Sequence, residues 1–197
     1  LTPTQILEIF GVLFTLANVY LLTKQNIYAW PCGLIGVSLY AIIFFQSKLY
    51  SDFGLHIIYV FLNIYGWWYW SGTTTESVTP VTKLTRSVQL TFALVILSSA
   101  YLWGYIMTTY TDASFAYADS FTTMASLVAQ YLLARKKIEN WIIWIIVDIV
   151  AIYLYLQKSL YPTAGLYLIL LLLSAKGWRE WYKSKSLYFE QVTIVQK

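Results

Sequence analysis

The chain matches itself when shifted by 111 residues, and no gap is needed. WPCGLIGVSLYAIIFFQSKLYSDFGLHIIYVFLNIYGWWYW (30–70) lies on WIIWIIVDIVAIYLYLQKSLYPTAGLYLILLLLSAKGWREW (141–181), and residues 8–70 hold 18 identities in all. Leu and Ile recur by chance in apolar sequence. The informative pairs are Trp30/Trp141, Gln46/Gln157, Gly54/Gly165, Gly66/Gly177 and Trp70/Trp181. Each copy contains three apolar stretches of roughly 20 residues, the length that crosses a hydrocarbon core of about 30 Å as a helix. Strands of a membrane barrel would instead alternate over about 10 residues. A unit with three crossings ends on the side opposite to its start, so a tandem copy would be inverted. The apolar stretch 87–109 adds a crossing and restores the orientation.

The repeat therefore predicts an all-α polytopic membrane protein, with seven transmembrane helices in a 3+1+3 arrangement of parallel repeats. The predicted spans are about 6–23, 28–46, 52–70, 87–109, 116–134, 140–157 and 161–181. Residues 1–70 form the first repeat, 71–115 a loop and linker helix, 116–182 the second repeat, and 183–197 a polar tail expected to be partly ordered. Repeat architectures of this kind place a substrate site near the bilayer midplane.

Composition agrees. The chain is 59% hydrophobic and only 11% charged, whereas soluble domains average about 25% charged residues. So few charges cannot coat a water-soluble globule. Eleven of the 13 Lys and Arg residues fall on one side of the predicted spans, leaving Lys48 and Lys158 on the other. The excess marks the cytoplasmic side, with the N-terminus outside and the C-terminus inside. The net charge of +4 thus follows topology and is no nucleic-acid signal. No basic segment of a cleavable signal precedes the first apolar run. Cys32 is the only cysteine, and with His56 it falls short of the roughly four ligands of a structural zinc. No metal and no cofactor are expected.

Polar residues inside the spans are the functional candidates, because an acid at membrane depth costs roughly 2.5–3.5 kcal/mol or more. Asp148 lies near the middle of ENWIIWIIVDIVAIYLYLQ (139–157), on one helix face with Trp141, Trp144 and Tyr155. A carboxylate beside two indoles suits a flat organic cation; alternatively, it satisfies polar groups between helices. At the shifted position stands Val37, so the acid breaks the repeat. His56, Tyr59 and Asn63 share a face of the third span, and Asp119, Ser126 and Gln130 a face of the fifth. Asp119 and Glu8 also suit helix N-termini. Trp67, Trp70, Trp178 and Trp181 lie at span ends and read as an interfacial belt. The glycine pairs 54/165 and 66/177 read as points of close helix approach.

The words IIFFQSKLY (42–50), NIYGWWYW (63–70), ADSFTTMASLVAQYLLARKKIENWIIW (118–144) and GWREW (177–181) resemble the Pnu family of bacterial vitamin transporters over residues 6–182. The resemblance implies a SWEET-like 3+1+3 fold with one vitamin bound midway through the membrane. It also implies facilitated diffusion of an unphosphorylated vitamin, with trapping by a cytoplasmic kinase. Trp141, Trp144, Asn63 and Asp119 match positions that recur in nicotinamide riboside members. A glutamine and an asparagine of those members are replaced by His56 and Asp148. Both changes introduce an ionisable group, and the chain is more similar to the thiamine-type members, called PnuT. Thiamine is the substrate this implies, with nicotinamide riboside as the alternative. An intramembrane enzyme is disfavoured, since neither GxSxG nor HExxH occurs. A subunit of a larger transporter and a homo-oligomer remain open.

Overall fold

The computed structural model describes residues 2–72, 80–111 and 114–195. The described residues form seven α-helices: α1 Pro3–Thr23, α2 Ala29–Gln46, α3 Tyr50–Ser71, α4 Arg86–Tyr110, α5 Ala116–Ala134, α6 Glu139–Gln157 and α7 Tyr161–Val195. The predicted spans match these helices to within a few residues, except at the C-terminus. There, α7 continues to Val195 where a partly ordered tail was expected. No Gly or Pro interrupts residues 178–195, so nothing ends the helix where the apolar run stops. Among the described residues, α1, α2, α4 and α6 are long and apolar enough to cross a membrane. The more polar stripes lie on α3 and α5.

Two compact units divide the chain, Leu1–Pro80 and Val81–Lys197. In the first, α2 packs on both α1 and α3; in the second, α4, α5, α6 and α7 pack in sequence order.

The turns repeat as faithfully as the helices. The turn after α1 has Gln25 at φ 52° with Asn26 N–H donating to the Leu21 carbonyl at 3.0 Å. The turn after α5 has Lys136 at φ 50° with Lys137 N–H donating to the Leu132 carbonyl at 2.9 Å. The next pair of turns places Lys48 and Ser159 at φ 59° and 57°, with bonds from Leu49 to Phe44 and from Leu160 to Tyr155. A left-handed residue followed by a six-to-one hydrogen bond is the Schellman ending, which satisfies carbonyls that a helix end would orphan. Of the five left-handed residues among the described ones, these four pair at the 111-residue offset, and Phe115 before α5, at φ 62°, has no left-handed counterpart.

Packing repeats too. Trp30 meets Trp70 edge-to-face at 5.2 Å and 83°, and Trp141 meets Trp181 at 5.5 Å and 87°. All four indoles are buried. Trp70 and Trp181 are therefore core residues and not belt residues. Trp67 and Trp178, each 41% exposed, keep the outward position expected of a belt. A Cβ on Gly66 would collide with the Trp30 ring, and one on Gly177 would lie 2.6 Å from Trp141 Cε2. Those two glycines give the indoles their seats. Gly54 and Gly165 differ: a Cβ there meets nothing within 4 Å, so close helix approach does not explain them.

Of the expected loop 71–86, residues 73–79 lie outside the described residues. The part that follows is docked. Val81 is buried, and Thr82 exchanges backbone bonds with the α5–α6 turn: its N–H donates to the Lys136 carbonyl and its carbonyl accepts from Ile138 N–H, both at 3.1 Å.

Candidate functional site

In the second unit the awkward acid of α6 has found a partner. Asp148 is 2% exposed, and Ser174 Oγ of α7 donates to its Oδ2 at 3.0 Å. Ser174 is itself buried. It stands at the repeat offset from Asn63, so an inward polar position on α3 could have flagged it, but nothing in the sequence ties it to Asp148. One helix turn before Asp148, half-buried Trp144 packs against a small core of Ile96, Ala125 and Val147. Trp141 lies deeper, 2% exposed, seated on Gly177 and Trp181. Its indole Nε1 has no hydrogen-bond partner. Tyr155 of α6 stacks on Tyr167 of α7, centroids 5.2 Å apart. Asp148 and Ser174 thus form a buried polar pair bordered on α6 by one wedged and one partly accessible indole.

The polar face of α5 is divided. Gln130 and Ser126 are buried, and Ser126 Oγ donates back to the Thr123 carbonyl at 2.9 Å. Asp119, in the first turn of α5, accepts from Lys158 Nζ at 2.9 Å across to the turn after α6. Its carboxylate is thereby committed to an ion pair at the helix end. In the first repeat, Glu8 and Ser47 occupy the counterpart positions, so the cation has no equivalent there.

In the first unit His56 sits among rings: Phe44 at 4.8 Å, Tyr59 at 5.8 Å and Tyr40 at 5.9 Å. Its Nδ1 lies 2.9 Å from the Asp52 carbonyl. A carbonyl only accepts, so Nδ1 carries the proton, and in the neutral ring Nε2 is the acceptor. Asn63 is buried; its Nδ2 donates to the Tyr59 carbonyl at 2.8 Å, while its Oδ1 has no partner. That oxygen and the amide of Asn18, which donates to the Ala29 carbonyl at 2.7 Å, lie where a side chain on Gly33 would project. The counterparts of Asn18, Gly33 and Asn63 are Ala129, Trp144 and Ser174. The same framework holds an amide cluster in one repeat and an acid–hydroxyl pair in the other.

Outside the spans, burial of Lys136 in the α5–α6 turn holds its ammonium below the ordinary lysine range. Beside it Glu139, in the first turn of α6, accepts from Leu84 N–H and Gln89 Nε2, each at 3.0 Å. This clasp went unread in the sequence, although an acid in a first helical turn is a signal.

Long apolar helices, a duplicated three-helix unit and a buried acid inside an apolar helix define a polytopic membrane protein of the transporter class. The chain belongs to the nicotinamide mononucleotide transporter family, whose model matches residues 5–183. It is similar to the nicotinamide riboside transporter PnuC of Escherichia coli, 27% identical over 204 residues that cover 90% of this chain and 85% of that one. PnuC of Neisseria mucosa is 29% identical over 177 residues, covering 81% of this chain and 65% of the relative. The riboflavin/roseoflavin transporter RibM of Streptomyces davaonensis is 24% identical over 183 residues, covering 89% and 84%. Among solved structures, the vitamin B3 transporter PnuC has the same fold, with a TM-score of 0.76, 24% identity, and coverage of 94% of this chain and 84% of that one.

Proposed function

We propose that the chain carries a cationic, flat-ringed vitamin across the membrane, and that nicotinamide riboside is its substrate. The names of its PnuC relatives support that substrate. The observation that carries the cation is Asp148, buried inside an apolar helix with Ser174 Oγ on its carboxylate. A fixed positive charge on the substrate would neutralise this acid on binding, and Trp144 would stack on the ring. Thiamine, the substrate expected from the sequence, is the second reading. The same acid favours it, because thiamine is also a permanent cation and needs no amide at position 148 for ribose hydroxyls. The RibM relative adds no support for a cation, since riboflavin is neutral.

Passage proceeds by alternating access through one midplane site, in a 3+1+3 frame with the N-terminus outside and the C-terminus inside. No ion gradient or ATP is needed, and a kinase in the cytoplasm consumes the product. The test is counterflow of labelled nicotinamide riboside and thiamine into proteoliposomes of the full chain, with no gradient imposed. Saturable counterflow of nicotinamide riboside, competed poorly by thiamine, is the expected result. The reverse preference moves the substrate to thiamine, and flux that appears only with an ion gradient refutes facilitated diffusion. Calorimetry of Asp148→Ala in detergent, which removes the carboxylate without supplying an amide, should show at least a tenfold loss of affinity, about 1.4 kcal/mol. Equal affinity removes Asp148 from the site.

A further inference from the structure

Within the second unit, α4, α5 and α6 enclose a cleft of about 320 Å³. Its walls are apolar, with Phe92, Ile96 and Leu97 from α4, Phe121 from α5, and Ile142 and Ile146 from α6. Leu97 is 58% exposed, and Ile142 and Ile146 are each 45% exposed, so the cleft opens on the outer face of these helices. One end is polar, for Glu139 and Gln89 also line it. Glu139 is 8% exposed, more than nine-tenths buried. Its Oε1 is fully engaged by Leu84 N–H and Gln89 Nε2, but its Oε2 is buried with no hydrogen-bond partner. A desolvated carboxylate oxygen left unpaired costs several kcal/mol, and a donor arriving through the cleft would relieve that cost.

The donor has to be cationic or strongly polar and attached to an apolar body that fits the walls. Two exposed cations stand beside the polar end in the chain: Lys83 precedes and Arg86 follows the cleft residue Leu84. From Gln89 to Leu97 the α4 wall runs about 12 Å at 1.5 Å per residue, long enough for a substantial part of an acyl chain. We propose that this cleft is a binding site for an aminophospholipid. Its primary ammonium donates to Glu139 Oε2, its phosphate lies by Lys83 and Arg86, and one acyl chain fills the groove along α4. Glu139 already ties the lead-in to α4 onto the start of α6, so the lipid head completes the coordination of a carboxylate that joins two helices. Neither Asp148 nor Ser174 lines the cleft, and the proposal does not depend on which vitamin is carried.

The test uses the full chain, delipidated in detergent and titrated with dioleoyl phosphatidylethanolamine, phosphatidylcholine or phosphatidylglycerol, with bound lipid counted by native mass spectrometry. Phosphatidylcholine has the same chains but no N–H donor, so the expected result is at least tenfold tighter binding of phosphatidylethanolamine. Glu139→Gln keeps an acceptor for Leu84 and Gln89 while removing the charge, and should erase that preference. Ala93→Trp, which fills the groove and leaves Glu139 intact, should weaken binding of all three lipids. Equal binding of the ethanolamine and choline lipids by the unaltered chain overturns the proposal whether or not Glu139→Gln folds. So does a preference that survives Glu139→Gln. Should Ala93→Trp change only the oligomeric state, the groove belongs to a second copy of the chain, and the lipid assignment is likewise overturned.

Discussion

Gly66 and Gly177 offer a measurement of how the duplicated framework is held together. Alanine at Gly177 puts a Cβ 2.6 Å from Trp141 Cε2, roughly 1 Å inside the usual carbon–carbon contact of about 3.5–4.0 Å. The neighbour cannot give way easily, because Trp141 is buried and stands edge-on against Trp181. Overpacking of this kind costs about 1–3 kcal/mol. Alanine also gains about 0.8–1.0 kcal/mol over glycine in a helix interior. Gly54 and Gly165 receive the same gain with no neighbour within 4 Å. Propensity therefore cancels between the two kinds of site, and the difference isolates the overlap. Gly66→Ala and Gly177→Ala should each be less stable than Gly54→Ala and Gly165→Ala by about 1–3 kcal/mol. The corresponding shift in Tm is roughly 2–12 °C, at about 2–4 °C per kcal/mol for a chain of this size. Near-UV circular dichroism during thermal unfolding in detergent reads it through the indoles. Trp141→Phe should partly rescue Gly177→Ala, since the smaller ring vacates the space. Four equal melting temperatures, or a double variant no better than the sum of its parts, would refute the seating of indoles on glycine.

Two further outcomes follow from charges at the helix ends. The Lys158–Asp119 pair is partly exposed, so Lys158→Met should cost no more than about 1 kcal/mol, and the loss should shrink as salt is raised; a loss unchanged by salt counts against an ionic role. Lys136→Met should stabilise the protein, because burial disfavours the folded ammonium and lowers its pKa from 10.5. The unfolded chain then holds more protons between the folded pKa and 10.5, so wild-type stability rises with pH across that window. The advantage of the variant should be full below the window and fade as pH climbs through it; an advantage constant with pH assigns the effect to packing instead.

Much of this fold is legible in one dimension. Segment length and apolar content mark the helices, because a backbone in hydrocarbon must satisfy its own hydrogen bonds. The offset of 111 residues carries over to the left-handed turn residues Gln25/Lys136 and Lys48/Ser159, since a duplicated backbone keeps the φ angles its turns require even where the residue types change. Asp148 stood out as an acid in an apolar run, and its cost in hydrocarbon is a property of the residue alone.

What the tertiary structure decided are the pairings. A helical period gives a face, but it does not name the neighbour on the next helix. Thus Trp70 and Trp181 read as belt residues, although edge-to-face contacts with Trp30 and Trp141 bury them. Gly54 and Gly66 looked equivalent until one was seen to seat an indole and the other to face open space. Ser174 gained meaning only beside Asp148, and Glu139 only when Leu84 and Gln89, 50 or more residues earlier, closed on its carboxylate. The sequence by itself determined which segments are helices, how they repeat and where charge is expensive. Only packing in three dimensions determined which side chain meets each of those charges and rings, because that depends on distances across helices that no period along the chain records.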